Sequence, residues 1–142
     1  MIVPDINLLL YAHFRGFTHH VRARRWWEQL LNGDTEVALS APAVFGFLRL
    51  ATSPAVFDGP LAVADAVGLV EEWFAMPHVR FAVPGPRHLE IALGLLRALG
   101  VAGNLTTDVQ LAALAIEEQG ELHSNDTDFA RFPRLRWVNP LR

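Results

Sequence analysis

A chain of 142 residues, 51% of them hydrophobic, is long enough for one domain with a full core and too short for two, so residues 1–142 are expected to form a single unit. The absence of cysteine excludes disulfides, thiol nucleophiles and cysteine-ligated zinc, and because all 12 basic residues are arginine, any mechanism that needs a primary amine is excluded too. The net charge of −3 carries no signature of a nucleic-acid binder, and no apolar run approaches the roughly 20 residues of a spanning helix, so a cytoplasmic protein without membrane contact is expected.

Short apolar runs alternate with longer segments of helical period, the pattern of an α/β domain with a mostly parallel sheet of about five strands. Ile2-Val3 opens as a strand, and Pro4 requires that strand to be ending there, because proline cannot donate to a central ladder. Asp5 follows, between the strand and the apolar run Ile6 to Tyr11, where an inward carboxylate must be paired, hydrogen-bonded or metal-bound. Thr18 is placed to cap a helix in which Ala23, Trp26, Trp27, Leu30 and Leu31 form one stripe, ending at Asn32-Gly33. Val37-Ala38-Leu39 reads as the second strand, and Ser40 with Pro42 starts a helix to about Leu50, stopped by Thr52-Ser53-Pro54.

Asp58 and Pro60 give the same start signal for a helix to Phe74. A strand over Val79–Val83 precedes a helix opened by Pro86 and closed at Gly100. The last clear helix begins near Thr106 or Thr107 and ends at Gly120, with Asp108 in its first turn. Strands at Glu121-Leu122-His123 and Arg136-Trp137-Val138 complete the chain, with Ser124, Asp126 and Asp128 following the former.

In open parallel sheets ligands bind outside the carboxyl ends of the strands, which singles out Asp5 and Asp126 among the acids, with Asp108 at a helix start and Asp128 beside them. Taken singly, Asp108 also reads as a helix-dipole residue and Asp126-Thr127-Asp128 as a solvated turn. Converging, these carboxylates would repel one another unless a hard divalent cation sat among them, and such an ion on a phosphate ester activates water for in-line attack. The six histidines lack zinc-ligand spacing and read as surface or packing residues. The Trp26-Trp27 and Phe45/Phe47 pairs read as core or interface material.

Three stretches together resemble the PIN domain. Ile2-Val3-Pro4-Asp5-Ile6-Asn7-Leu8-Leu9 looks like its first strand ending in Asp-x-Asn, and Asn104 to Ala115 is similar to its later helix with an early Asp. Ser124-Asn125-Asp126-Thr127-Asp128-Phe129 looks like its closing motif, and Phe47 to Pro54 looks most like the VapC toxins of bacterial VapBC toxin–antitoxin systems. The motifs fall in family order and span essentially the whole chain.

The resemblance implies a three-layer α/β/α fold, homodimerisation, Mg²⁺- or Mn²⁺-dependent cleavage of structured RNA such as tRNA or rRNA, and silencing by a VapB-type antitoxin. By position it implies Asp5, Asp108 and Asp126 as catalytic, metal-binding acids and Asp128 as an auxiliary ligand, with Asn7 and Ser124 orienting them through hydrogen bonds. One departure stands out. The family usually carries a Glu in the helix after strand two, but that place falls near Gly46, and no acid lies between Glu36 and Asp58. A PIN-like scaffold that binds RNA or an antitoxin without cutting is therefore the alternative. Receiver domains and haloacid-dehalogenase-like phosphatases also place acids at strand ends, but they use a lysine, which this chain lacks. If RNA phosphates are contacted, Arg15, Arg22, Arg25 and Arg49 must supply the local positive potential; a solvated arginine face is the plainer reading.

Overall fold

The computed structural model describes residues 1–142. Five strands, β1 (Ile2–Pro4), β2 (Val37–Ser40), β3 (Val79–Ala82), β4 (Glu121–His123) and β5 (Arg136–Val138), form one sheet in the order β3-β2-β1-β4-β5. Every pairing is parallel. Six helices connect them: α1 (Ile6–His13), α2 (His20–Asn32), α3 (Ala41–Ala51), α4 (Val63–Phe74), α5 (His88–Leu99) and α6 (Thr106–Glu117). The chain steps outward from β1 to β3 through α1 to α4, then crosses back through α5 and α6 to β4. Right-handed crossovers in opposite directions place these two helix groups on opposite faces of the sheet, the three-layer arrangement expected.

The strands are short and buried, with β1 and β2 inaccessible on both faces, as parallel strands covered by helices are. Pro4 is the last residue of β1, opposite His123, and the ladder continues one step through the Asp5 N–H to the His123 carbonyl at 2.9 Å. On the face of the α1–α4 group, Trp73 is the largest fully buried side chain, packed on Trp27 and Phe47 at ring-centroid distances of 5.4 and 4.9 Å. Phe47 is therefore core, whereas its neighbour Phe45 is 63% exposed.

Several element boundaries differ from the sequence reading. The apolar run Ile6 to Tyr11 is a helix of its own, with Asp5 as N-cap. Thr18 caps nothing: α2 starts at His20, and the His20 ring Nδ1–H donates to the Tyr11 carbonyl at 2.7 Å. Asp58 and Pro60 do not open α4, which begins at Val63; the preceding loop is tied to α3 by the Leu61 N–H on the Ala51 carbonyl, and Phe57 stacks on Phe14 at 3.9 Å. Pro86 lies in a loop whose Gly85 and Arg87 amides donate to the Glu117 carboxylate at 3.0 and 2.8 Å, so α5 starts only at His88. Gly100, at φ 72°, closes α5 in the left-handed conformation that a side chain would oppose. No helix is long and apolar enough to cross a membrane.

Candidate active site

The strand order reverses at β1, between the outward steps and the crossover to β4, and a crevice at such a switch point is where open α/β sheets bind ligands. Asp5 leaves β1 at this point and Ser124 to Asp128 leave β4 beside it. α6 precedes β4 and runs antiparallel to it, so Asp108, in its first turn, comes to the same edge.

Asp5 is a carboxylate 6% exposed that serves as helix cap and as the anchor of the β4 loop at once. One of its oxygens accepts the Ile6 N–H at 2.7 Å, and the other accepts the Ser124 hydroxyl at 2.7 Å. Ser124, fully buried, takes the Asp126 N–H on the same hydroxyl oxygen at 3.0 Å and is approached by the Asn7 amide nitrogen at 3.4 Å. One hydroxyl thus joins Asp5, Asn7 and the Asp126 backbone. The Asn7 side-chain oxygen has no hydrogen-bond partner although it is buried, an acceptor left open beside the acids. Asp126 caps the short 3₁₀ turn Thr127–Arg131 by accepting the Asp128 N–H at 2.9 Å, which leaves its second oxygen uncommitted.

The electrostatics carry the same grouping. Asp108 is pushed up to about 7, by burial first and then by the negative charges of Asp5, Asp126 and Asp128. Burial raises Asp5 as well, against the lowering effect of its Ser124 and Ile6 hydrogen bonds, with Asp126 adding repulsion. Asp108 therefore feels the other three predicted acids and Asp5 feels Asp126, yet no three of them stand as a ready-made metal cage in the side-chain positions present. The donor set nonetheless fits a hard cation: oxygen only, one carboxylate buried, one proton-hungry, and an unpartnered amide oxygen at hand. The larger recesses, up to about 540 Å³, are lined by other residues.

The place of the missing glutamate is structurally explained. Gly46 is buried on α3 against α1, where a Cβ would stand 2.6 Å from Ile6 Cδ1, so any side chain there displaces the residue next to Asp5. No fifth acid substitutes for it in the field felt by Asp108.

The PIN domain family matches over residues 2–135. Ribonuclease VapC33 of Mycobacterium tuberculosis is 58% identical over 142 residues, covering 100% of this chain and 99% of the relative. This chain is a member of the PIN-domain family, in its VapC branch. Ribonuclease VapC37 of the same organism is 36% identical over 140 residues, 99% of this VapC chain and 97% of the relative. Among solved structures, VapBC2 of Rickettsia felis bound to a promoter DNA fragment superposes with a TM-score of 0.68 at 20% identity, covering 98% of both chains. M. tuberculosis VapC20, described as a sarcin-ricin loop cleaving toxin, gives 0.68 at 17% identity over 96% of this VapC chain and 99% of the other. These structures share the fold.

Sequence reasoning about this VapC chain missed two polar links at the same edge. The Trp26 indole N–H donates to His123 Nδ1 at 3.0 Å, and the Asn139 amide donates to the Asn125 side-chain oxygen at 3.1 Å. Neither pair is close in sequence, and nothing in the local pattern of either residue signals a partner.

Proposed function

We propose that this chain is a metal-dependent endoribonuclease, the toxin of a VapBC pair, with Asp5, Asp108 and Asp126 as the catalytic acids and Asp128 as an auxiliary ligand. The observation that carries the reading is the convergence of these acids at the sheet's switch point, where burial first and then the charges of Asp5, Asp126 and Asp128 lift Asp108 to about 7. Mg²⁺ or Mn²⁺ held by these oxygens supplies an activated water and a counter-charge for the scissile phosphate.

The chain's own residues prepare that chemistry. Ser124 holds the Asp5 carboxylate in one orientation from the buried side, leaving the remaining lone pairs of both oxygens for the open side. Asn7, whose amide nitrogen approaches the same Ser124 hydroxyl, keeps its buried amide oxygen without a partner. Asp108 retains a proton on its carboxyl near neutral pH while the acids are uncompensated, and gives it up when positive charge arrives.

The substrate is structured RNA, tRNA or rRNA, encountered in the cytoplasm; the ribonuclease relatives and the sarcin-ricin loop cleaved by VapC20 support this class. A VapB-type antitoxin covers the acids, and the toxin is a homodimer; the neighbours described as VapBC complexes support the first of these. The test is cleavage of a purified tRNA and rRNA pool in Mg²⁺ and Mn²⁺. Asp5→Asn, Asp108→Asn and Asp126→Asn are each expected to abolish it with the fold intact, and Asp128→Asn to slow it. Undiminished cutting by Asp108→Asn would overturn the assignment.

Gly46, which removes one acid from the family's usual set, favours a second reading, a scaffold that binds RNA or antitoxin without cutting. Calorimetry with Mn²⁺ separates the two: no divalent binding alongside intact RNA affinity selects the scaffold.

A further inference from the structure

A depression of about 320 Å³ opens between α2 and the segment after β5, where Arg22, Arg25, Gln29 and Arg142 surround the Trp26 indole. No acidic side chain lines it. Arg22, Arg25 and Arg142 pair with no acid anywhere in the protein, whereas Arg24, on the same helix, is bound to Glu28 at 2.8 Å. Arg22 is oriented by donating to the Leu141 carbonyl at 2.9 Å, while Arg25 makes no side-chain hydrogen bond and is free to turn toward a ligand. Three uncompensated guanidinium groups around one hollow, in a chain of net charge −3, form a site for a multiply charged anion.

The hollow adjoins the loop that carries the acids. Its floor, Trp26, is hydrogen-bonded to His123, the residue before Ser124. Its wall, the segment after β5, leaves the sheet at the same edge as the β4 loop, where Val138 pairs with His123 and Asn139 bonds Asn125. Asp126 lies three residues past His123, hence within about 11 Å of it along the chain.

We infer that this arginine hollow binds backbone phosphates of the RNA strand whose scissile bond lies at the aspartates, an inference that rests on the ribonuclease reading. It gives an acidic protein a local cationic foothold beside its anionic centre. Phosphate contacts of this kind position a strand without reading its sequence.

The test measures affinity for labelled single-stranded RNA oligonucleotides by fluorescence anisotropy in EDTA, across a salt series. Because single strands give a slope of about 0.7 per neutralised phosphate in log affinity against log salt, Arg25→Gln should lower the slope by about 0.7, and the Arg22→Gln/Arg25→Gln/Arg142→Gln triple by about 2, for every oligonucleotide sequence. Arg25→Lys should recover most of the slope. Arg136→Gln, at the start of β5 and so at the opposite end of the strands from the acids, serves as the control and should leave it at the wild-type value. A wild-type slope in Arg25→Gln and in the triple variant overturns the inference. So does an unchanged RNA slope accompanied by lost binding of an acidic antitoxin peptide, which would assign the hollow to the protein partner. Cleavage of the same RNA by the wild type in Mn²⁺ is scored separately, so a failed nuclease reading and a failed phosphate site are told apart.

Discussion

The indole N–H of Trp26 on α2 donates to Nδ1 of His123 at the end of β4, across 3.0 Å of buried space. That bond fixes the tautomer: Nδ1 carries the lone pair, and the ring proton is on Nε2, which lies 3.3 Å from a Glu121 carboxylate oxygen. Protonating Nδ1 would set two N–H groups against each other.

Burial accordingly holds His123 below the ordinary histidine value, despite the opposing effect of Glu121. A histidine lowered on folding lends stability above about 6.5, its unfolded value, and that stability drains away as pH falls below it. Buried His13 is lowered in the same direction. In an Asp108→Asn background, which removes the opposing gain from protonation of Asp108 in this range, Tm is therefore expected to drop between pH 7.5 and 5.5. Trp26→Phe in the same background, less stable at pH 7.5, should show a smaller drop, because the conflict at Nδ1 is gone. Equal drops in thermal melts of the two proteins would refute the tautomer argument.

Ser124→Ala removes the hydroxyl that joins Asp5, Asn7 and the Asp126 backbone. Losing a hydrogen bond to a buried carboxylate costs about 1.5–3 kcal/mol, and loss of an orienting partner weakens metal affinity by about 10–100-fold. Urea unfolding and Mn²⁺ calorimetry read the two effects separately; Ser124→Thr should restore the second.

Asp108, raised from 3.8 to about 7, binds a proton in the folded state that the unfolded chain has already released. Stability is lost as pH climbs through that window and the loss is complete above it. Asp108→Asn should therefore melt higher than wild type at pH 8 without metal, with the difference closing toward pH 4. Adding Mn²⁺ at about 100 times its Kd should stabilise the wild type by about 2.7 kcal/mol and the variant by far less. A wild type that melts at the same temperature with and without Mn²⁺ contradicts the predicted metal site.

At Gly46 the neighbouring atom is the mobile end of Ile6, so a methyl group is met by a small shift. Gly46→Ala should stay within about 1 kcal/mol of wild type, since the better helix propensity of Ala offsets the crowding. Gly46→Glu, which restores the family's acid, should cost about 1–3 kcal/mol through overpacking against α1. Chemical denaturation of both variants checks the difference; a Gly46→Glu protein as stable as wild type would show that α1 yields freely.

What the amino-acid order determined by itself was whatever depends on neighbours: the five strand segments, most helix stops, and the acids that follow strands or open a helix. Hydrophobic period and cap chemistry act over one or two turns, so they are visible in a window of a dozen residues. Asp5, Asp108 and Asp126 were legible because strand ends and helix starts are local features, and their order matches a known family. The false helix starts at Thr18 and Asp58-Pro60 arose where tertiary bonds, Tyr11 to His20 and Ala51 to Leu61, outcompeted a locally good cap.

Other relationships existed only once the chain was folded. The Ser124 hydroxyl on Asp5, separated by 119 residues, the Trp26–His123 bond and the grouping of Arg142 with Arg22 and Arg25 depend on which strands neighbour β1 and which face α2 covers. The elevated affinity of Asp108 for its proton likewise comes first from its burial in the folded chain and then from charges distant in sequence, both of which depend on tertiary packing.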